Sequence, residues 1–338
     1  MKKLRIGCIG VGRLGYQHAE NVAYRIPNAE LAAVCDINMD RAEEAARQLG
    51  AAEYYGDYNE MLEKSDIDAV MITNTSSEHC ACIKAACAAH KHIYCEKPTG
   101  LTIEELDEID KAVETNPGRT IQVGFMRRFD RSYQDAKRRV DSGDIGKIIK
   151  IRSITRDPAC QREDYVRFGP GAGGMFFDMS VHDFDLVRWF AGGEVKSMYA
   201  IGGIYEFTEF EAFNDIDNCS VLMQFDNGVM AEVEGSKQGV CGYDVWMEIV
   251  GTKGTLLVNS GTTSYVTQKD EYGMRNECQP WFRERFEEAY LREVAAFVDK
   301  ALTGEASGVD TGDARKAVEM AFMAQKSYDD GKIMCAQQ

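Results

Sequence analysis

The sequence is short of positive charge. Its 39 Lys and Arg stand against 55 Asp and Glu, a formal net charge of −16 over 338 residues. Nucleic acid and anionic membrane surfaces both require a basic face, so neither is expected as a partner. Long apolar runs are missing as well; none approaches the ~20 residues that a bilayer span requires. The N-terminus, MKKLRIGCIGVG, is basic but meets glycine too soon for a signal peptide. It reads as the first strand of the fold. Cysteine is present eleven times, yet no CxxC occurs. An odd number of cysteines, scattered through a long chain with no export signal, reads as reduced thiols of a cytoplasmic protein. Internal repeats and low-complexity tracts are absent. What is present is ordinary for a soluble globular protein: 44% hydrophobic and 28% charged residues. The length suits two domains at ~150 residues each.

The first ~125 residues alternate strand and helix. Strands are expected at Leu4–Ile9, Glu30–Cys35, Ile67–Thr73, His92–Glu96 and Thr120–Phe125, each short, apolar and mostly continuous, as strands buried on both faces tend to be. Helical spacing fills the gaps. Gly50 suits a helix C-cap after 40–49, and Thr102 with Glu105 forms a capping box. The alternation points to a doubly wound parallel sheet over residues 1–124. After Phe125 the pattern changes. A helix near 130–141 leads to an extended segment, 147–155. A glycine-rich loop, 169–174, precedes a helix from about Asp178 to Phe190. Asn218–Phe225 turns at Asn227-Gly228 into Val229–Glu234, a hairpin signal. Tyr243–Val250 turns at 251–254 into Thr255–Asn259. Two helices close the chain, near 283–302 and 310–329. Residues 125–338 are therefore expected to form an α+β domain on a largely antiparallel open sheet, which binds the substrate and mediates oligomerisation.

The first strand runs into Gly10-Val11-Gly12-Arg13-Leu14-Gly15, a GxGxxG. Glycine is common, so the pattern alone says little. Here a strand precedes it, a helix follows, and a second strand ends at Asp36, 21 residues past Gly15. In a dinucleotide site Gly10 makes the tight turn, Gly12 admits the pyrophosphate and Gly15 lets helix and strand pack closely. Backbone N–H groups at the helix start supply the positive potential, so an acidic protein can still bind phosphates. Asp36 would accept hydrogen bonds from a ribose diol and repel a 2′-phosphate. Residues 37–39 offer no arginine, Arg41 being the nearest. NAD is favoured over NADP.

Glu96-Lys97-Pro98 closes the strand at 92–96, and proline cannot continue a central strand. Lys97 therefore sits at a strand C-terminus, where α/β proteins place ligands. It is a candidate to stabilise a substrate oxygen; an exposed surface lysine is the alternative. Asp178 and His182 are four apart in FFDMSVHDFDLVRWF, on one helix face. An imidazole suits a general base at neutral pH, and a carboxylate one turn earlier could orient it or grip a hydroxyl. The alternative is an N-cap aspartate beside a half-buried histidine. The segment HCACIKAACAAHKHIYC packs four cysteines and three histidines into 17 residues. Its spacings fit one helix face against a sheet, with cysteine as a small hydrophobe. No metal is expected.

With these motifs in place, the chain resembles the Gfo/Idh/MocA oxidoreductases over nearly its whole length. IGCIGVGRLGYQHAENV, the EKP at 96–98 and DMSVHDFDLVRW carry the resemblance. VGFMRRFD at 123–130, RDP at 156–158, NDID at 214–217 and GYD at 242–244 point toward the inositol 2-dehydrogenases. The resemblance implies an N-terminal Rossmann domain binding NAD and a C-terminal open-sheet domain packed into a homotetramer. It implies Lys97, Asp178 and His182 as the catalytic set, with Arg127, Asp157 and Tyr243 near a polyol. Cofactor contacts would come from Gly10, Gly12, Arg13, Leu14, Gly15, Asp36, Glu96 and Lys97. Thr73 and Asn74 join them from a turn, Thr73-Asn74-Thr75-Ser76-Ser77, that departs from the family's Ser-Trp-Gly-Pro-like pattern. Segments 159–174 and 204–214 also depart from it. The expected activity is NAD-dependent oxidation of a cyclic polyol, with myo-inositol to 2-keto-myo-inositol the best single choice. Another inositol isomer or an aldose is the rival within the class. A non-catalytic NAD-binding module is the rival outside it, and Lys97 and His182 argue against that, since a mere binder needs neither.

Overall fold

The continuous apolar runs of the first 125 residues line up as a parallel sheet in the computed structural model of the chain, which describes residues 2–259, 261–264 and 266–336. Two compact units divide the chain. The first comprises the residues up to Met126 together with Glu288–Lys316; the second comprises Arg127–Glu287 and the residues from Ala317 on.

In the first unit the strands are β1 (Leu4–Ile9), β2 (Ala29–Cys35), β3 (Glu53–Tyr55), β4 (Ala69–Ile72), β5 (His92–Glu96) and β6 (Ile121–Gly124). They pair in the order β3-β2-β1-β4-β5-β6, every pair parallel. This is the strand order of a dinucleotide-binding fold. The helices α1 (Arg13–Glu20), α2 (Met39–Leu49), α3 (Tyr58–Lys64), α4 (His79–Ala88) and α5 (Ile103–Glu114) connect them. Local chemistry sets their ends. Asn38 accepts the Arg41 amide at the start of α2, and Gly50 ends that helix at φ 75°. Thr102 and Glu105 exchange hydrogen bonds as a capping box. Two apolar layers flank the sheet. One packs Leu4, Ile6, Leu31 and Val34 against Val294, Phe297 and Val298 of the C-terminal segment. The other packs Ile9, Val70, Ile72 and Ile93 against Cys82, Ile83 and Cys87 of α4, so these cysteines serve as core hydrophobes. The short β3 lies outside the sequence expectation: three half-exposed residues carry no periodic signal.

In the second unit α6 (Arg131–Asp141) precedes β7 (Ile148–Pro158), α7 (Arg162–Phe168) and α8 (Val181–Ala191). Then come β8 (Val195–Gly203), β9 (Asn218–Phe225), β10 (Met230–Gly239), β11 (Asp244–Gly251) and β12 (Thr255–Val258). A small hairpin follows, β13 (Thr267–Asp270) with β14 (Gly273–Asn276). The chain ends with α9 (Phe282–Thr303) and α10 (Thr311–Asp330), each divided between the two units at Glu288 and Lys316, and with β15 (Met334–Cys335) of the second unit. The large sheet has the order β12-β11-β7-β10-β9-β8-β15. Its pairs are antiparallel except β7 with β10. Burial alternates strictly along β9, where Cys219, Val221, Met223 and Phe225 point inward. On the covered side Phe177 meets Phe322 edge-to-face, and Ser327 Oγ of α10 accepts the Ala200 amide. The other face leaves Tyr199, Ile201, Leu222, Met230 and Leu257 exposed. Between the two apolar ends of that face, Lys150 and Arg152 both pair with Glu232.

The expected helix from Asp178 is not uniform. Gly173 and Gly174 have φ of 86° and 83°, then Met175–Met179 forms a widened π-helical turn ahead of α8. Asp215 anchors that turn by accepting the Met175 amide at 2.7 Å.

Candidate active site

The glycine turn behaves as its spacing predicts. A Cβ at Gly10 would fall 2.5 Å from the Asn74 backbone, and Gly10 sits at φ 88°. A Cβ at Gly15 would lie 2.0 Å from the Gly10 carbonyl and 2.5 Å from Thr73 Oγ1, so α1 packs directly on the turn. Gly12 caps α1 without a side-chain cap, and the first turn carries no acid. The helix start therefore offers positive potential to an anion. Arg13 is exposed beside the turn and Leu14 is half-buried. Asp36, at the end of β2, accepts the Val11 amide at 3.0 Å through Oδ2 and the Asn38 amide at 2.9 Å through Oδ1. Arg41 reaches back to 3.7 Å from the same carboxylate. Thr73 donates to the Gly10 carbonyl at 2.6 Å. The Asn74 Oδ1 is buried without a hydrogen-bond partner, an acceptor kept in reserve beside the turn. These residues fit NAD: phosphates at the α1 amides, the adenine ribose at Asp36, and a donor for Asn74.

The strand end bearing Lys97 is tied to the same region. The ring of His79 lies between the carbonyl of Pro98, 2.7 Å from Nδ1, and that of Asn74, 3.2 Å from Nε2. Burial holds His79 below the ordinary histidine range. Glu96 is buried, and its Oε1 sits 2.8 Å from His18 Nε2. Burial alone would raise this carboxyl. His18, by hydrogen bond and charge, and the Lys97 charge bring it below its usual range. Lys97 itself is half-buried, and its amide donates to Glu96 Oε2 at 3.3 Å.

In the second unit Asp178 lies in the π-helical turn and His182 in the first turn of α8, both half-buried. Asp215 stands close enough to Asp178 for the charge to be felt. Burial first, then Asp178, pushes Asp215 above the usual carboxylate range. Arg127 is buried. Its guanidinium donates to Asp183 Oδ1 at 2.8 Å and to Thr155 Oγ1 at 3.0 Å, and it hydrogen-bonds Tyr243. Tyr243 is 4% exposed. Burial raises its phenol, and the Asp157 charge adds to that. Asp157, at the end of β7, also faces Tyr165. Arg127, Asp157 and Tyr243 therefore form one neighbourhood.

Four residues of this unit lie beyond the sequence reading. Asp183 is the buried hub that Arg127, Ser153 and Thr155 share. Asp215 and Asp217 belong to the NDID stretch, and Asp217 accepts the amides of Tyr205, Glu206 and Phe207. Lys237 is buried, with its ammonium 4.8 Å from the Tyr165 ring centre. Asp183 on α8 and Lys237 on β10 look like ordinary helix and strand residues, so only the NDID motif could have drawn attention to any of the four. The unusual segments pack on each other. Arg162 of α7 pairs with Glu209 at 2.6 Å and lies over the Phe207 ring, while Tyr165, Phe207 and Phe210 share one aromatic cluster.

Residues 4–125 match the model of an oxidoreductase family with an NAD-binding Rossmann fold, and 133–257 match the Gfo/Idh/MocA C-terminal domain. The myo-inositol 2-dehydrogenase of Thermotoga maritima is 35% identical, over 97% of each chain. The NAD-linked scyllo-inositol 2-dehydrogenase of Bacillus subtilis is 36% identical, over 97% of this chain and 95% of its own. The scyllo-inositol dehydrogenase of Lactobacillus casei, solved with NAD(H) and scyllo-inositol, superposes with a TM-score of 0.95 at 36% identity, over 99% of each chain. With a Rossmann unit built around Asp36 and a full-length match to these enzymes, the chain belongs to the Gfo/Idh/MocA family of NAD-binding oxidoreductases.

Proposed function

We propose that this oxidoreductase is an NAD-dependent inositol 2-dehydrogenase that oxidises one ring hydroxyl of myo-inositol or scyllo-inositol to the ketone. The observation that carries this reading is the likeness, over nearly the whole chain, to an enzyme whose structure holds NAD(H) and scyllo-inositol. NAD, held by Gly10, Gly12, Arg13, Leu14, Gly15, Asp36, Thr73, Asn74, Glu96 and Lys97, supplies the hydride acceptor. In this reading His182 takes the hydroxyl proton as general base. Lys97 steadies the substrate oxygen as it becomes a carbonyl, and Asp178 orients His182 or grips a neighbouring hydroxyl. Arg127, Asp157 and Tyr243 complete a polar surround for a neutral ring. Such a site rejects analogues that leave its buried polar groups unmatched. The division of labour follows: residues 1–124 bind the cofactor, and 125–338 bind substrate and assemble the oligomer.

The exposed sheet face around Tyr199, Ile201 and Leu222 supports a homotetramer, since an apolar patch of this kind marks an interface. All eleven cysteines are free thiols, which supports the cytoplasm as the location. No described helix is long and apolar enough to cross a membrane.

The test is NADH absorbance across a panel of inositols, aldoses and 2-hydroxy acids. Oxidation of the axial hydroxyl of myo-inositol and of any hydroxyl of scyllo-inositol gives the same ketone. The isomer formed on reducing that ketone therefore reports which face the site presents. Turnover of a hydroxy acid with silence across the inositols would overturn the reading.

A further inference from the structure

Beneath the strand end that carries Lys97, four buried groups from three elements meet. Tyr94 and Glu96 come from β5, His18 from α1 and Glu293 from α9. Tyr94, His18 and Glu293 are fully buried and Glu96 nearly so. The Tyr94 hydroxyl lies 2.8 Å from Glu293 Oε1 and 3.0 Å from Glu96 Oε1. His18 Nε2 lies 2.8 Å from the same Glu96 oxygen. A Cβ at Gly124 of β6 would come within 2.8 Å of both Glu96 Oε1 and Tyr94 Oη, so the cluster is closed on that side.

Counting protons decides the arrangement. A phenol has one proton to donate, yet Tyr94 is at bonding distance from two carboxyl groups. Both contacts are hydrogen bonds only if one carboxyl carries its own proton and donates it to the tyrosine oxygen. Glu96 is the poorer candidate, because it also faces His18, the Lys97 amide and the Lys97 charge, all of which favour the anion. Glu293 faces Tyr94, Glu96 and, through its backbone carbonyl, the Gln122 amide. Its second oxygen is buried without a partner. Two buried carboxylates this close would repel strongly, and the charge that acts on Glu293 is that of Glu96.

We propose that Glu293 is a protonated carboxylic acid that donates to Tyr94, which donates to the Glu96 carboxylate, and that this relay is a positioning device for Lys97; the second half rests on Lys97 being catalytic. Tyr94 and His18 together fix the Glu96 carboxylate in one orientation. That carboxylate in turn receives the Lys97 amide, which sets the backbone and the local field from which the lysine side chain departs. Glu293 touches no reacting atom; it acts through Tyr94 and Glu96. Burial, and then the Glu96 charge, raise Glu293 well above the usual carboxylate range, in agreement with the proton count. A three-ligand cation site is the competing use of His18, Glu96 and Glu293, whose ligand atoms lie within 4.8 Å of one another. His18 and Glu96 touch at 2.8 Å and the Tyr94 hydroxyl bridges Glu96 and Glu293, an arrangement that favours a proton over an ion.

The experiment compares the wild-type protein with Glu293→Gln, Glu293→Ala and Tyr94→Phe. Infrared spectra should contain the carbonyl stretch of a protonated carboxylic acid at neutral pH in the wild type, missing from Glu293→Gln. Unfolded glutamate titrates near ~4.3, so holding Glu293 neutral costs the fold progressively more as pH rises toward its folded value. The Tm of Glu293→Gln relative to wild type should therefore climb as pH rises above about 4.3. The glutamine keeps a donor for Tyr94 and should retain kcat within about threefold. Tyr94→Phe and Glu293→Ala should lose about tenfold or more in kcat, with NAD binding little changed. No infrared difference, or a flat Tm gap, overturns the protonated Glu293. Wild-type kcat in Tyr94→Phe overturns the positioning role. Stabilisation of the wild type by Zn²⁺ or Mn²⁺ that Glu293→Gln abolishes would replace the proton with a cation. Should Lys97→Met keep full activity, the catalytic reading of Lys97 falls, while the infrared and Tm tests still judge Glu293 separately.

Discussion

The Asp36 carboxylate holds the Val11 amide at 3.0 Å, so the acid that ends β2 and the glycine turn that ends β1 form one rigid corner. Each of its oxygens has a further lone pair with which to accept a ribose hydroxyl, and its charge opposes a 2′-phosphate. NAD should exceed NADP in kcat/KM by at least about tenfold. Asp36→Ala should narrow that ratio, because Arg41, now 3.7 Å from the carboxylate, is freed to meet a phosphate. Steady-state kinetics with both cofactors checks this; equal efficiencies in the wild type would refute it.

His182 and Lys97 should separate kinetically. A general base contributes about 10²–10⁴-fold, so His182→Ala should lower kcat by that factor with NAD affinity unchanged. In the wild type kcat/KM for oxidation should rise with pH through the range where an imidazole titrates, and that limb should vanish in the variant. Lys97→Ala should lower kcat and also raise KM, since it touches the reacting oxygen in ground and transition states alike. Near-native turnover in His182→Ala would transfer the base role to Lys97.

Arg127 and Asp183 form a buried pair at 2.8 Å with Thr155 and Ser153 attached. Removing one partner leaves the other charge buried, at a cost of about 3–5 kcal/mol. Asp183→Leu should therefore lower Tm by on the order of 10 °C. The double variant Arg127→Met/Asp183→Leu should recover part of that loss, because an apolar pair is tolerated where a lone charge is not. Calorimetry of the three variants tests the coupling; additive losses would contradict it.

Leu222 stands opposite Tyr199 on the open sheet face. Leu222→Lys with Ile201→Lys should dissociate the assembly while each chain stays folded. Light scattering should give a tetramer for the wild type and a smaller species for the variant. A wild-type monomer at micromolar concentration would argue against this face as an interface.

The legible parts of the molecule were those whose cause is local. The Gly10–Gly15 turn, Asp36, the Thr102 capping box and the Asn227-Gly228 hairpin all declare themselves within a few dozen residues. The illegible parts depend on distant partners. Asp183 meets Arg127 across 56 residues, and Glu293 meets Tyr94 across 199. Nothing in the helical spacing around Glu293 distinguishes a buried acid from a solvated one. The π-helical turn at 175–179 was hidden for the same reason, since it is Asp215, forty residues on, that holds its first amide. Lys237 alternates along β10 like any strand residue, and only the aromatic cluster around it shows that it is buried.

The placement of β7 between β10 and β11 bears on how the chain acquires its structure. Its neighbours are about 80 to 100 residues further on, whereas β8, β9 and β10 follow one another as a local meander. A central strand that must wait for both partners raises contact order and slows folding. During synthesis the isoleucine-rich strand segment Ile148–Thr155 emerges long before β10 and β11 can pair with it, which exposes it to mispairing. Chaperone dependence and low-temperature expression yield should respond to substitutions there more than to equal changes in the meander. The strand that presents Ser153 and Thr155 to Asp183 is thus also the one whose late docking gates the appearance of the native sheet.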